Sequence, residues 1–202
     1  MIKAVIFDLG GVLVENPSPK MIAYFSSVLG VKEEEFYDQD KLPLEEFQKG
    51  LINEDTFWEK FCQRMGVQKP DIHHSLWQKA LRKVFTPRKE MFSLCLKLKE
   101  KGYKLGLLSN IEPPSLAYFN EQPYNHIFDV SVFSCREKTW KPEREIYEIV
   151  LKKLSTKPAE TVFIDDREDF VEGAKKIGLK TILFKGVQQL KEELNNLLEK
   201  NR

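Results

Sequence analysis

The sequence has little of several things that would narrow a protein's setting, and each shortage excludes something. It carries only three cysteines, Cys62, Cys95 and Cys135, far apart and without a CxxC pair. An odd, scattered set is a poor disulfide framework, so these read as buried or indifferent thiols in a reducing cytosol. No run approaches the roughly 18 apolar residues that a membrane span needs. The apolar stretch after Met1 is too short for a signal peptide and leads straight into polar sequence, so a cytoplasmic protein is expected. Charge of one sign is missing as well: 32 Lys and Arg against 31 Asp and Glu leave a formal net charge of +1. That supplies no field to draw in nucleic acid or anionic lipid. The stretch 188–200 interleaves its Lys and Glu as a solvated helix face does, and is no basic tail. Internal repeats and low-complexity segments are also lacking.

What is present is an ordinary globular chain. Its 202 residues, 42% hydrophobic and 31% charged, suffice for one well-buried core, or for a core with a small insert. Residues 3–7 form a short β-branched run suited to a strand buried on both faces, ending at Asp8 and the loop signal Gly10-Gly11. From about Ser18 to Phe85 no buried strand is evident. Helical patterns cover 21–29, stopped by Gly30; 56–65, stopped by Gly66; and about 71–84. After this block an alternation of helix and strand resumes. Thr86-Pro87 predicts an N-cap and first-turn proline for a helix reaching Gly102. Strands are expected at 103–108, 129–133, 161–164 and 181–184, with helices at 114–120, 142–154, 170–177 and the C-terminus. A βα alternation implies a parallel sheet with helices on both faces.

In such a sheet the ligand crevice lies at the carboxyl ends of the strands. Asp8, Ser109-Asn110 and Asp165-Asp166 sit at such ends, and Lys141-Pro142 sits just before a helix. One Asp after a strand is often a cap. Four polar sites in this order are hard to attribute to chance. Asp8 and Asp166 side by side would repel, and a hard divalent cation with oxygen ligands, Mg²⁺ by default, resolves that. With Lys141, such a cation would let a phosphate dianion approach a carboxylate nucleophile. Ser109 and the backbone N–H groups after it add donors. The set reads as phosphoryl transfer through an aspartyl-phosphate on Asp8.

The motifs Val5-Ile6-Phe7-Asp8-Leu9-Gly10-Gly11-Val12, Leu107-Leu108-Ser109-Asn110, Lys141-Pro142 and Phe163-Ile164-Asp165-Asp166, with Glu172-Gly173-Ala174, resemble the haloacid-dehalogenase-like hydrolase superfamily. The resemblance covers essentially the whole chain. It implies an α/β fold, a three-layer Rossmann-like parallel sheet of order 5-4-1-2-3 with an inserted helical cap subdomain: core 1–15 and 86–202, cap 16–85. By the family pattern Asp8 and Asp166 ligate Mg²⁺ through side chains and Gly10 through its carbonyl. Asp165 lies at the edge of that shell, and Asp169 joins it or caps a helix. Ser109, Asn110 and Lys141 hold phosphate. The partner implied is a small phosphorylated metabolite, a sugar phosphate being one candidate, for a monomer or homodimer.

The sequence departs from the pattern at one chemically important place. Phosphatases of this type carry a second Asp two residues after the nucleophile, which protonates the leaving alcohol and then activates water. Here that residue is Gly10, and loss of a general acid–base costs on the order of 10²–10⁴ in rate. The chain is also similar to a branch containing an α-glucose-1-phosphate phosphatase and epoxide hydrolase N-terminal domains. In that bacterial branch an acidic residue stands seven after the nucleophile, making Glu15 a candidate substitute proton carrier. Two rivals stay open. A 2-haloacid dehalogenase also lacks the second Asp and spaces Lys and Tyr as Lys141 and Tyr147 are, but does not keep the paired acids. A non-catalytic metal- or phosphate-binding relative is the other. His73-His74 read as helix histidines, Phe57, Trp58, Phe61 and Met65 as cap core, Pro17 and Pro19 as a hinge. Trp77 and Trp140 are placed near the crevice mouth, where Trp140 either stacks on a substrate or packs beneath the loop.

Overall fold

The computed structural model describes residues 1–34, 36, 41–70 and 74–199. Strand β1 (Ala4–Phe7) is buried along its whole length, which requires an interior strand in a sheet covered on both faces. It pairs in parallel with β2 (Lys104–Ser109) and with β4 (Thr161–Asp165), while β3 (Val130–Phe133) and β5 (Lys180–Leu183) form the edges. The resulting order, β3-β2-β1-β4-β5, is the expected one.

Between β1 and β2 the chain builds helices α1 (Ser18–Leu29), α2 (Lys41–Gln48), α3 (Glu54–Met65) and α4 (Leu76–Val84). The stops read at Gly30 and Gly66 are left-handed caps, and α3 starts on an Asn53 side chain that accepts from the Thr56 N–H. These helices enclose an aromatic core of their own, with Phe25 edge-on to Trp58 at 4.9 Å and Phe57 edge-on to Trp77 at 5.2 Å. Phe57, Trp58 and Phe61 are fully buried there, each contributing about 2–3 kcal/mol relative to an exposed position. Helix α2 escaped the sequence reading because Pro43 looks like a breaker, yet it sits in the first turn, where proline is tolerated. The predicted start of α4 at 71, and His73, lie outside the described residues. His74 is exposed.

The remaining helices are α5 (Lys89–Glu100), α6 (Pro113–Asn120), the short α7 (Ser134–Glu137), α8 (Arg144–Leu154), α9 (Glu168–Lys176) and α10 (Val187–Glu199). Successive strand residues face opposite layers. Val5 and Phe7 pack with Met91 and Cys95 of α5 and Leu194 of α10. Ala4 and Ile6 pack with Ile146 and Val150 of α8 and Ala174 of α9. Three layers result. One local expectation is corrected: Thr86 does not cap α5. Pro87 instead bridges to Val14, and the Glu15 N–H donates to the Thr86 carbonyl at 2.9 Å, so the chain stays extended until Arg88.

Candidate active site

Register places the acids. Phe7 lies opposite Leu107 on one side and Ile164 on the other, and the Asp8 N–H donates to the Ile164 carbonyl at 2.9 Å. Asp8 therefore leaves the sheet beside Asp165 and one position before the end of β2. Asp8, Asp165 and Asp166 each offer a carboxylate oxygen, and these three oxygens lie within 4.8 Å of one another. Between the first two sits Lys141, 1% exposed, its Nζ donating to Asp8 Oδ1 and Asp165 Oδ2, both at 2.6 Å. The Phe170 ring lies under the same ammonium, 4.9 Å from Nζ to its centre. Asp165 also accepts from the Arg167 N–H through Oδ1 at 2.9 Å.

Lys141 is held there by its neighbours. The Asn110 side chain binds the Lys141 backbone twice, accepting from its N–H at 2.8 Å and donating to its carbonyl at 2.9 Å. The Asn110 side chain thereby positions Lys141. Glu143 secures the same loop by accepting from Thr139 at 2.7 Å and from Lys49 at 2.6 Å. Gly173 allows α9 to press against it, since a Cβ there would stand 2.9 Å from Pro142 Cβ. Gly11 is the second close approach: φ is +88°, and a Cβ would fall 2.1 Å from an Asp166 oxygen.

Electrostatics follow from this crowding. Burial, above all, pushes the Asp8 carboxyl up to about 7; Lys141 opposes the shift, and Asp165 and Asp166 add to it. Asp166 is raised too, by burial and then by Asp165. Burial alone would lower the Lys141 ammonium, but Asp165 and Asp8 outweigh it and hold it above its ordinary value. One cation thus faces a buried acidic cluster, and the oxygen-rich donor set suits a hard divalent ion.

A cavity of about 360 Å³ opens from this cluster. Asp8, Gly10, Ser109, Asn110, Lys141 and Asp166 line its inner end, so the structure brings these sequence-predicted residues together. Asp165 sits just behind, fully buried under Lys141. Glu15 is not brought in. It is absent from the described lining and faces Lys20 at 3.7 Å on the surface, because the pairing of Val14 with Pro87 turns it away. Asp169 lines the mouth but is engaged by Arg167, whose Nη2 lies 2.7 Å from it. The N-cap of α9 is Arg167, two residues before it. Trp140 lines the cavity beneath Lys49, 5.3 Å over its ring, and Trp77 lines it from the helical side. Tyr147 is outside the described lining, its hydroxyl donating to the Phe170 carbonyl at 2.8 Å.

Sequence reasoning missed one buried acid. Glu112, 8% exposed, lines the cavity and accepts from Gln48 at 2.7 Å and Ser115 at 2.9 Å. Burial raises its carboxyl above the usual range, with these bonds opposing. The signal was its place three residues after Ser109, ahead of Pro113-Pro114, where it looks like a solvated helix start.

Comparisons with known proteins agree with this geometry. The family model described as haloacid dehalogenase-like hydrolase matches residues 2–178. A sesquiterpene phosphatase of Aspergillus oryzae is 30% identical over 88% of this chain and 87% of its own. A D-ribitol-5-phosphate phosphatase of Bacteroides thetaiotaomicron is 26% identical over 98% of this chain and 99% of its own. Among solved structures, a family enzyme of Bacteroides thetaiotaomicron in complex with magnesium and inorganic phosphate superimposes with a TM-score of 0.75. It is 29% identical and covers 90% of this chain and 93% of its own. With the strand order, the acid cluster and a model match over most of its length, this chain belongs to the haloacid dehalogenase-like hydrolases.

Proposed function

We propose that this chain is a magnesium-dependent phosphatase that cleaves a phosphate monoester of a small molecule through an aspartyl-phosphate on Asp8. The observation that carries the reading is the bridging of Asp8 and Asp165 by the buried Lys141 ammonium, next to Asp166 and at the end of a cavity. Relatives named as phosphatases, and a neighbour in complex with magnesium and phosphate, support it. The paired acids Asp165-Asp166 weigh against a dehalogenase, as does a Tyr147 hydroxyl already bonded to backbone. The helical segment 16–85 is proposed as the cap that closes the cavity over substrate.

Mg²⁺ would be held by Asp8, Asp166 and the Gly10 carbonyl, with Asp165 behind them, and supplies charge neutralisation for the phosphate oxygens. Asp8 attacks phosphorus through one oxygen, the bond to the leaving oxygen breaks, and the alkoxide takes its proton from solvent because Gly10 has none to give. Lys141 keeps Asp8 aligned and offsets the phosphoryl charge. Ser109 donates to a phosphoryl oxygen. Water then attacks phosphorus, releasing inorganic phosphate and regenerating the Asp8 carboxylate. Phosphate release from p-nitrophenyl phosphate is expected to need Mg²⁺ and to fall by at least about 10³-fold in Asp8→Asn. Undiminished release by that variant would overturn the reading, and Mg²⁺ binding without any release would mark a non-catalytic relative.

The same carboxyl sets a pH signature. An Asp8 raised from its ordinary value of 3.8 to about 7 means that, between those values, the folded chain binds more protons than the unfolded one. Stability of the metal-free protein therefore falls as pH rises from about 4 to 7. Mg²⁺ favours the ionised carboxylates, so its stabilising shift is largest above that window. Thermal melts at about pH 5 and pH 8, with EDTA or Mg²⁺, check this. Asp8→Asn should flatten the metal-free dependence, and a wild-type Tm indifferent to both pH and Mg²⁺ contradicts it.

A further inference from the structure

We infer that the leaving group of this phosphatase is an apolar alcohol rather than a sugar, an inference that rests on the phosphatase reading above and deepens it. Away from the acid cluster, the cavity is walled on the helical side by Met21, Ile22, Phe25, Leu44, Leu81 and Phe85. No Lys or Arg among the described lining residues comes from that side, so nothing there takes a second phosphate or a carboxylate.

Apart from Asn16 and Ser18, the polar groups that line this chamber beside the apolar wall bond to one another. Gln48 donates to Glu112 Oε1 at 2.7 Å, Ser115 to Glu112 Oε2 at 2.9 Å, and Trp77 Nε1 to the Ser115 hydroxyl at 2.8 Å. A polyol entering this chamber gives up hydrogen bonds to water for each hydroxyl and meets groups bonded among themselves, at a cost per unpaired hydroxyl. A hydrocarbon chain loses nothing comparable and leaves water. At about 360 Å³ the cavity is within the range of small-molecule sites, with the phosphate end occupying only its inner part.

The experiment compares kcat/KM with Mg²⁺ for butyl, hexyl and octyl phosphate, for glucose 6-phosphate and a pentitol phosphate, and for p-nitrophenyl phosphate as reference. In parallel, methyl- and octylphosphonate and a sugar phosphonate are titrated by tryptophan fluorescence, since Trp77 and Trp140 line the cavity. The inference expects kcat/KM and affinity to rise by about 3-fold per methylene until the chamber is filled, with the sugar phosphates at least about 10-fold below octyl phosphate. Leu44→Gln should lower the octyl-to-butyl ratio in turnover and the octyl-to-methyl ratio in binding. If p-nitrophenyl phosphate is hydrolysed in an Asp8-dependent way but chain length has no effect, the apolar leaving group falls and the phosphatase reading stands. If nothing is hydrolysed, that reading falls, and the phosphonates still decide: octylphosphonate binding no tighter than methylphosphonate overturns the inference.

Discussion

An aspartate installed at position 10 should raise turnover of an alkyl phosphate by about 10²-fold, the lower end of what a positioned general acid–base contributes. The site has room for it. Gly10 is not among the glycines with left-handed φ, and an ideal Cβ there meets no heavy atom within 4 Å. Its neighbour differs: a Cβ on Gly11 collides with Asp166, so the opening is specific to one position. Gly10 also lines the cavity with Asp8, so a carboxyl there would share the space in which the reaction is proposed. The gain in kcat/KM should be smaller for p-nitrophenyl phosphate, whose leaving group needs no proton in the first transfer, while its kcat should still rise because water attack gains a base. The wild type is accordingly expected to show a steep dependence of kcat/KM on leaving-group acidity, and Gly10→Asp a shallow one. A folded Gly10→Asp protein with unchanged rates and slope would show that the missing acid is not what limits this chain.

Lys141→Met is the opposite case, a loss in both stability and rate. The ammonium is the shared partner of Asp8 and Asp165, and Lys141 is only 1% exposed. Removing one partner of a buried charge pair costs about 3–5 kcal/mol because the other charge remains buried and unpaired. Here two carboxylates lose their partner, although Asp8 can take up a proton and so blunt the loss. The destabilisation should therefore grow as pH rises through Asp8's raised value of about 7, and Mg²⁺ should return part of it. Activity should drop by about 10²–10³-fold even in the fully folded, metal-loaded variant, since phosphoryl charge loses its fixed cation. Denaturant melts at two pH values and steady-state rates check both halves. A variant as stable as wild type at high pH would contradict the placement of Lys141 between the acids.

The parts of this molecule that sequence could reveal are those set by local pattern. The continuous apolar run 4–7 admits only a doubly covered strand, and each strand end carrying Asp8, Ser109 or Asp165 follows from the same logic. Gly30 and Gly66 mark helix ends because only the left-handed region closes them there. What stayed hidden depends on partners distant in sequence. Asn110 was expected as a phosphate ligand, and its second task, holding the Lys141 backbone through its amide, spans 31 positions. The family resemblance made Glu15 a candidate proton carrier, yet beyond the bridge from Val14 to Pro87 it faces Lys20. Glu112 was not singled out in the sequence, since its burial depends on Gln48 from α2, which bonds to it.

In the proposed mechanism Asp8 itself receives the phosphoryl group, and the absence of an acid–base at Gly10 gives that step a visible consequence. With p-nitrophenyl phosphate the first transfer needs no proton, whereas attack of water on the phosphorylated Asp8 lacks a base. The second step is then the slower one. Rapid mixing with Mg²⁺ is expected to release p-nitrophenolate in a burst of about one per chain, with phosphate recovered on the peptide containing Asp8 after acid quench, and none of either in Asp8→Asn. Linear release without a burst, persisting in Asp8→Asn and leaving that peptide unmodified, would contradict the account.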